Sequence, residues 1–252
     1  MNDLHGKTVL VTGGSRGIGA AMVRAVAARG ARVLLHYGKS RAAAEAIQNE
    51  VGSDVCHLIA ADLAAIEDAA VLWRAAEAAA PRIDVVINNA GIFEPTPVEL
   101  PAAEWREAWA RVMQVNLYAP AELCKLAIPH FRRHGGGKII NVASRAAHRG
   151  DALDQWPYAA SKGALVAMSK TIARGYAKDN ILAFVIAPGF TDTEMAYTGL
   201  DDAGVERIVA DIPLGSMVRP EECGTLAAFL CTDDVRHMTG ATFDINGASY
   251  VR

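Results

Sequence analysis

The residues that decide the fold run Val9-Leu10-Val11-Thr12-Gly13-Gly14-Ser15-Arg16-Gly17-Ile18-Gly19. An apolar, β-branched run predicts a strand, the glycines predict a tight turn, and the Ala-rich amphipathic stretch beyond predicts a helix. Such a turn lets bare backbone approach a pyrophosphate, which side chains would obstruct, and the helix N-terminus then offers free N–H groups and a positive dipole end. The spacing is Thr-Gly-x-x-x-Gly-x-Gly, not the GxGxxG fingerprint of dinucleotide sites. Its place after the first strand and at the start of a helix favours phosphate binding over a merely structural turn.

The same rhythm continues outward from this unit. Short apolar runs at 8–12, 32–36, 55–59, 85–88, 138–142, 182–186 and 242–245 alternate with helical patterns at 17–29, 41–51, 66–79, 104–131, 158–177 and 220–230. Nearly continuous hydrophobic strands separated by helices predict a doubly wound α/β Rossmann fold, a seven-stranded parallel sheet with helices on both faces. Pro120 marks a kink or a boundary within 104–131. Residues 191–219 show no clear period and contain Gly199, Gly204, Pro213 and Gly215, which predicts a substrate lid. No linker or repeat divides the chain, so residues 1–252 are expected to form one domain.

The chain has 252 residues, 52% apolar and 21% charged, which excludes disorder, collagen and coiled coil. Its net charge of −3 gives no basic surplus for nucleic acid or an anionic membrane. The N-terminus lacks the apolar region of a secretory signal, and no apolar run approaches a membrane span. Cys56, Cys124, Cys223 and Cys231 form no CxxC pair, which suits a reducing compartment. The expectation is a cytoplasmic protein with no nucleic-acid or membrane partner.

The glycine turn resembles that of the short-chain dehydrogenase/reductase family in its compact form. Asn88-Asn89-Ala90-Gly91 resembles the family's NNAG, Tyr158-Ala159-Ala160-Ser161-Lys162 its YxxxK, and Asn116 and Ser144 its catalytic Asn and Ser. Pro188-Gly189, Thr191 and Thr193 resemble its loop at the nicotinamide. The resemblance implies a dinucleotide held by Gly13, Ser15, Arg16, Gly17, Ile18, Gly19, Tyr37, Lys39, Ser40, Asp62, Leu63, Asn89, Ala90, Gly91, Tyr158, Lys162, Pro188, Gly189, Thr191 and Thr193. It also implies a homotetramer acting on a small carbonyl or alcohol substrate. Asp62 is expected at the adenine amino group, or else as a cap for the next helix.

The end of the second strand, His36-Tyr37-Gly38-Lys39-Ser40, carries no acid to repel a 2′-phosphate. Arg16 and Lys39 or Ser40 can receive one, so NADP(H) is favoured, with NAD(H) possible. Tyr158 and Lys162, four apart on a helix, share a face; a nearby ammonium is expected to lower the phenol toward the working range. Tyr158 then gives a proton to the carbonyl oxygen that Ser144 holds. The resemblance implies that Lys162 also holds the nicotinamide ribose and that Asn116 carries a relay water.

Arg145, His148, Arg149, Asp151, Asp154, Gln155 and Trp156, between Ser144 and Tyr158, are candidates for substrate contact. His130 and His134 have metal-compatible spacing but no third ligand, so they read as a helix end, and no metal is expected. Trp105 and Trp109 form either a core stripe or a subunit interface. Similarity to 3-oxoacyl-acyl carrier protein reductases suggests that Arg132 and Arg133 dock an acidic carrier. Asp179, Phe184 and the sequence Ile245-Asn246-Gly247-Ala248 depart from that subgroup's pattern. A non-catalytic redox sensor is the rival class, though such proteins lose the Tyr or Lys retained here. Enoyl reductases of the superfamily place six residues between Tyr and Lys, where this chain has three.

Overall fold

The computed structural model describes residues 4–198 and 201–252. One parallel sheet contains β1 (Thr8–Val11), β2 (Arg32–Tyr37), β3 (Cys56–Ala60), β4 (Val85–Asn88), β5 (Gly137–Val142), β6 (Ile181–Pro188) and β7 (Thr242–Ile245). Their order, β3-β2-β1-β4-β5-β6-β7, places the topological switch between β1 and β4. In such sheets ligands bind beyond the carboxyl ends of the strands at that switch. β1 and β4 are buried along their whole length, which explains their uninterrupted apolar sequence.

Side-chain alternation divides the core into two layers. Val9 and Val11 of β1 pack with Val23 and Val26 of α1 (Gly17–Ala28) and Ala227 of α10 (Pro220–Cys231). Leu10 faces the other way, toward Leu72 of α3 (Asp68–Ala79), Leu123 of α5 (Ala119–Arg133) and Ile172 of α7 (Trp156–Tyr176). The helix α2 (Arg41–Val51) completes the first layer through Ala44 and Ile47.

The stretch expected as one helix over 104–131 is interrupted. The helix α4 (Ala102–Met113) passes into a π-helical turn, Gln114–Tyr118, before α5 begins. Pro120 lies in the first turn of α5, directly after the π turn, where the helical bonding pattern changes. It therefore marks a boundary. The segment expected to be irregular contains α8 (Glu194–Tyr197) and α9 (Asp202–Ala210). Asp201 caps α9 by accepting the Gly204 N–H at 2.7 Å, so Gly204 obscures a helix start. Gly199 lies outside the described residues, as do Met1, Asn2 and Asp3. Among the described residues no helix is long and apolar enough to cross a membrane.

A buried polar ladder sets the height of α7 on the sheet. Asn88 Nδ2 donates to Asn141 Oδ1 at 2.8 Å, Asn141 Nδ2 to Ser169 Oγ at 2.7 Å, and that hydroxyl to the Leu165 carbonyl at 2.7 Å. At the opposite end, His130 is likewise structural. Its Nε2 accepts the Ile83 N–H at 3.0 Å and its Nδ1 faces Glu77 at 2.9 Å.

Replacing Asn141 by Val removes the oxygen acceptor of Asn88 Nδ2 and the donor to Ser169 Oγ, both buried. Urea denaturation should show a loss of about 1–3 kcal/mol, whereas an unchanged midpoint would show that the ladder contributes nothing.

Candidate active site

The glycine turn is held from three sides. The Gly13 N–H donates to His36 Nδ1 at 3.1 Å and the Gly14 N–H to the His36 carbonyl at 2.9 Å, while His36 Nε2 faces the Ala61 carbonyl at 3.1 Å. These partners assign the proton to Nε2 and leave Nδ1 as acceptor, and burial lowers the His36 pKa from its ordinary value. Thr12 Oγ1 accepts the N–H groups of Asn89 and Ala90, each at 3.0 Å. Asn89 Nδ2 returns bonds to the carbonyls of Thr12 at 2.9 Å and Gly13 at 3.2 Å. A Cβ on residue 19 would stand 2.0 Å from the Gly13 carbonyl, so only glycine fits.

These contacts fit a pyrophosphate. Arg16 opens α1 in an extended conformation with no side-chain cap, and the first turn carries no acid. The N–H groups of Gly17, Ile18 and Gly19, without intrahelical partners at this position, remain as donors. Across the cleft, a Cβ on Gly17 would meet the Thr193 methyl at 3.2 Å. Thr193 Oγ1 donates to the Thr191 carbonyl at 3.3 Å and Thr191 Oγ1 to Gly189 at 3.2 Å. The loop after Pro188 is thereby folded against the turn.

At the far end of the turn, Tyr37 is buried in the core, Lys39 is exposed and Ser40 half-buried. Arg16 Nη1 lies 3.4 Å from Glu194 Oε2 of α8, both side chains largely exposed. Asp62 Oδ1 accepts the Ala64 N–H at 3.1 Å, but α3 begins only at Asp68, so Asp62 is not a helix cap. Leu63 is a core residue whose carbonyl accepts from Gln114 at 3.4 Å.

The candidate reacting groups gather beyond β4 and β5. Tyr158 and Lys162 share one face of α7, with Lys162 Nζ 5.7 Å from the Tyr158 ring centroid. Nζ donates to the Val142 carbonyl at 2.9 Å. Ser144 follows β5; its Oγ accepts the Ala146 N–H at 3.1 Å and is a hydrogen-bonding neighbour of the Tyr158 hydroxyl. Asn116 is buried in the π turn and clamps Ile92 from both sides. Its Oδ1 accepts the Ile92 N–H at 2.8 Å and its Nδ2 donates to the Ile92 carbonyl at 2.9 Å. A Cβ on Gly91 would lie 3.3 Å from Lys162 Nζ and 3.4 Å from Asn116 Oδ1, so both polar groups meet at this glycine.

Burial pushes the Tyr158 phenol up to about 12, with the Asp151 charge adding to the rise and Ser144 opposing it. Burial also holds Lys162 down at about 8. The expected lowering of the phenol by the ammonium is absent, because Nζ is directed at Val142 and desolvation outweighs the remaining interactions. Three partners escaped the sequence reading. They are His36, an imidazole inside an apolar strand, Phe93, whose ring meets Tyr158 edge-on at 5.6 Å, and Ser161, which donates to the Tyr158 carbonyl at 2.7 Å.

Of the residues between Ser144 and Tyr158, Arg145 and Gln155 are buried, and His148 stacks on Tyr250. The Asp154 carbonyl accepts both Thr96 N–H and Oγ1, at 2.7 and 2.9 Å. Trp156 is half-exposed beside Trp105. His148 and Arg149 belong to a short helix, α6 (Ala146–Arg149).

A family model described as enoyl-(acyl carrier protein) reductase matches residues 13–248. The chain is 34% identical over 251 residues to the 3-oxoacyl-[acyl-carrier-protein] reductase of Escherichia coli, covering 99% of each. It is 35% identical to 3beta-hydroxysteroid dehydrogenase 1 of Eggerthella lenta, covering 98% of this chain and 94% of that one. A solved structure from Beutenbergia cavernae, described as an NAD(P)-dependent gluconate 5-dehydrogenase with bound NADP at low occupancy, superposes with a TM-score of 0.90. The two share 31% identity over 98% of each chain. A 3-ketoacyl-(acyl-carrier-protein) reductase from Brucella melitensis complexed with NADH gives a TM-score of 0.87 at 29% identity, covering 98% of this chain and all of that one. The chain belongs to the short-chain dehydrogenase/reductase family of nicotinamide-dependent oxidoreductases.

His36 yields a pH prediction. A histidine held neutral in the fold contributes stability in full above the ordinary value near 6.5 and loses it as pH falls below that value. His36→Leu should weaken dinucleotide binding roughly tenfold, by removing the acceptor for Gly13, and flatten part of the acid limb of the stability curve. Calorimetric titration and thermal melts from pH 5 to 8 test this; unchanged affinity would show that the turn does not need the imidazole.

Proposed function

We propose that this chain interconverts a ketone and a secondary alcohol, with Tyr158 as the proton-transfer residue and NADPH as the preferred dinucleotide. The observation that carries the reading is the convergence of Tyr158, Ser144, Lys162 and Asn116 beside the glycine turn, at the carboxyl ends of β1, β4 and β5. Gly13, Ser15, Arg16, Gly17, Ile18 and Gly19 hold the pyrophosphate, and Asn89, Ala90, Gly91 and the loop Pro188–Thr193 line the cleft toward the nicotinamide. When bound, the reduced dinucleotide supplies the hydride that reaches the carbonyl carbon.

Tyr158 gives its proton to the carbonyl oxygen and Ser144 positions that oxygen by hydrogen bond. With its pKa raised to about 12, Tyr158 is protonated at neutral pH, the form required for reduction. Lys162, at about 8, is charged below that pH and stands beside Asn116 to return a proton to the phenol. The Asn116 amide, fixed by Ile92, keeps one lone pair of Oδ1 for a relay water.

Tyr158→Phe should reduce turnover at least 10³-fold with dinucleotide affinity nearly unchanged, whereas Lys162→Ala should damage both. Reduction should also decline above about pH 8 as Lys162 loses its proton. Retained turnover in Tyr158→Phe would remove the proton-transfer role. Arg16→Ala should weaken NADPH more than NADH, read by titration of each. Equal losses would refute a 2′-phosphate contact and leave NADH, the dinucleotide of the Brucella structure, the better reading.

The relatives named above take acyl thioesters, steroids and a sugar acid, so family alone leaves the substrate open. Arg132 and Arg133 do not favour an acidic carrier, since they lie at the end of α5 near the start of β5, away from the cleft. They pair with Asp179 at 2.7 Å and Glu77 at 3.3 Å. Residues 191–219 act as the lid of one functional unit spanning 1–252. The four buried free cysteines suit a reducing cytoplasm. The groove between the start of α4 and the start of α7, lined by Val98, Leu100, Trp105 and Trp156, supports self-association as a homotetramer, which light scattering on the purified chain would test.

A further inference from the structure

One side chain beside the reacting groups lacks its complement. Arg145 follows Ser144 directly, and its N–H donates to the Pro188 carbonyl at 2.8 Å, tying the ends of β5 and β6 together. Its guanidinium lies over the Phe190 ring, 4.7 Å from the centroid, and the residue is only 8% exposed. Two carboxylates act on the guanidinium through their charge, Asp211 and Asp151: Asp211 is 3.8 Å from Nη1, beyond hydrogen-bond range, and is engaged by Arg149 at 3.2 Å, while Asp151 Oδ1 accepts the Ala152 N–H at 3.0 Å. Nη1 is therefore buried without a hydrogen-bond partner.

A guanidinium remains charged at any relevant pH and presents five donors in a fork shaped for a carboxylate. Burying that fork with donors unmet costs free energy that a bound anion would recover. Two further polar atoms in the same connection, His148 Nε2 and Gln155 Oε1, are also buried without partners. A hydrocarbon ligand would leave Nη1 unmatched, whereas a small acid offers it an acceptor.

We propose that Arg145 binds the carboxylate of the substrate, and that this substrate is a small keto acid or hydroxy acid whose reacting carbonyl or hydroxyl meets Ser144 and Tyr158. This rests on the reading of Tyr158 and Ser144 given above. Asp211 holds Arg149 and thereby leaves the Arg145 fork to the substrate, making Arg145 a specificity residue.

The test compares acids with their uncharged esters. Acetoacetate against methyl acetoacetate, and 4-oxopentanoate against its methyl ester, are assayed by kcat/KM in the parent chain, Arg145→Met and Arg145→Lys. Titration of gluconate into the dinucleotide-loaded protein gives a readout that needs no turnover. The acid-to-ester ratio should exceed one in the parent, fall roughly 10- to 100-fold in Arg145→Met, and be partly kept in Arg145→Lys. A parent that prefers the esters, or a ratio unmoved by Arg145→Met, overturns the proposal. If nothing is turned over but Arg145→Met abolishes gluconate binding, the anion site stands and the role given to Tyr158 falls. If nothing is turned over and gluconate binding ignores Arg145, the anion site falls. Should Arg145→Met fail to fold by circular dichroism, Arg145→Gln decides, because it keeps polar donors but removes the charge and should lower the acid-to-ester ratio; an unchanged or higher ratio overturns the proposal.

Discussion

The position of the Gly13 carbonyl against residue 19 constrains everything around it. With only 2.0 Å available for a Cβ there, α1 can start directly over the end of β1 only if residue 19 has no side chain. That start puts the positive end of a helix at the switch point between β1 and β4, where an anionic ligand is favoured. Thr12, His36 and Asn89 then fix the turn with hydrogen bonds drawn from β1, β2 and the end of β4. The central strands contribute to the site as frame and as ligands of its turn.

The second half of the site depends on the placement of α7. Asn88, Asn141 and Ser169 join that helix to the sheet at one height, and Lys162 extends the same tie with its bond to Val142. Polar groups buried in this way are costly unless each has a partner, and that cost selects one register over neighbouring ones. The π turn performs the corresponding task between α4 and α5, turning Asn116 inward onto Ile92. Tyr158, Lys162 and Asn116 thus come from two helices, each locked by a polar device of its own.

Much of this was legible in the sequence because its causes are local. Continuous apolar runs give the strands, Ala-rich periodic stretches give the helices, and the glycine spacing gives the turn. The four candidate side chains, Asn116, Ser144, Tyr158 and Lys162, were singled out from their order and spacing, and the fold brings them to one end of the sheet. What escaped depends on contacts between distant segments. His36 reads as an oddity within β2 until Gly13 and Ala61 are brought to its two nitrogens. Gly204 reads as a breaker until Asp201 is seen capping the helix it opens. The phenol's pKa was misjudged because spacing places Lys162 near Tyr158 but does not say where the ammonium points.

The same distinction separates reaction class from substrate. The groups proposed to act in the reaction lie on elements fixed by the core. In the proposed function the rest of the substrate meets α6, the connection to α7, and α9. These elements carry unmatched polar atoms and exposed ion pairs that the core does not determine. Arg145 stands at the junction, held by its backbone to Pro188 and by its ring contact to Phe190, with Nη1 lacking a hydrogen-bond partner. Its remaining valence is therefore available for selecting what enters the cleft.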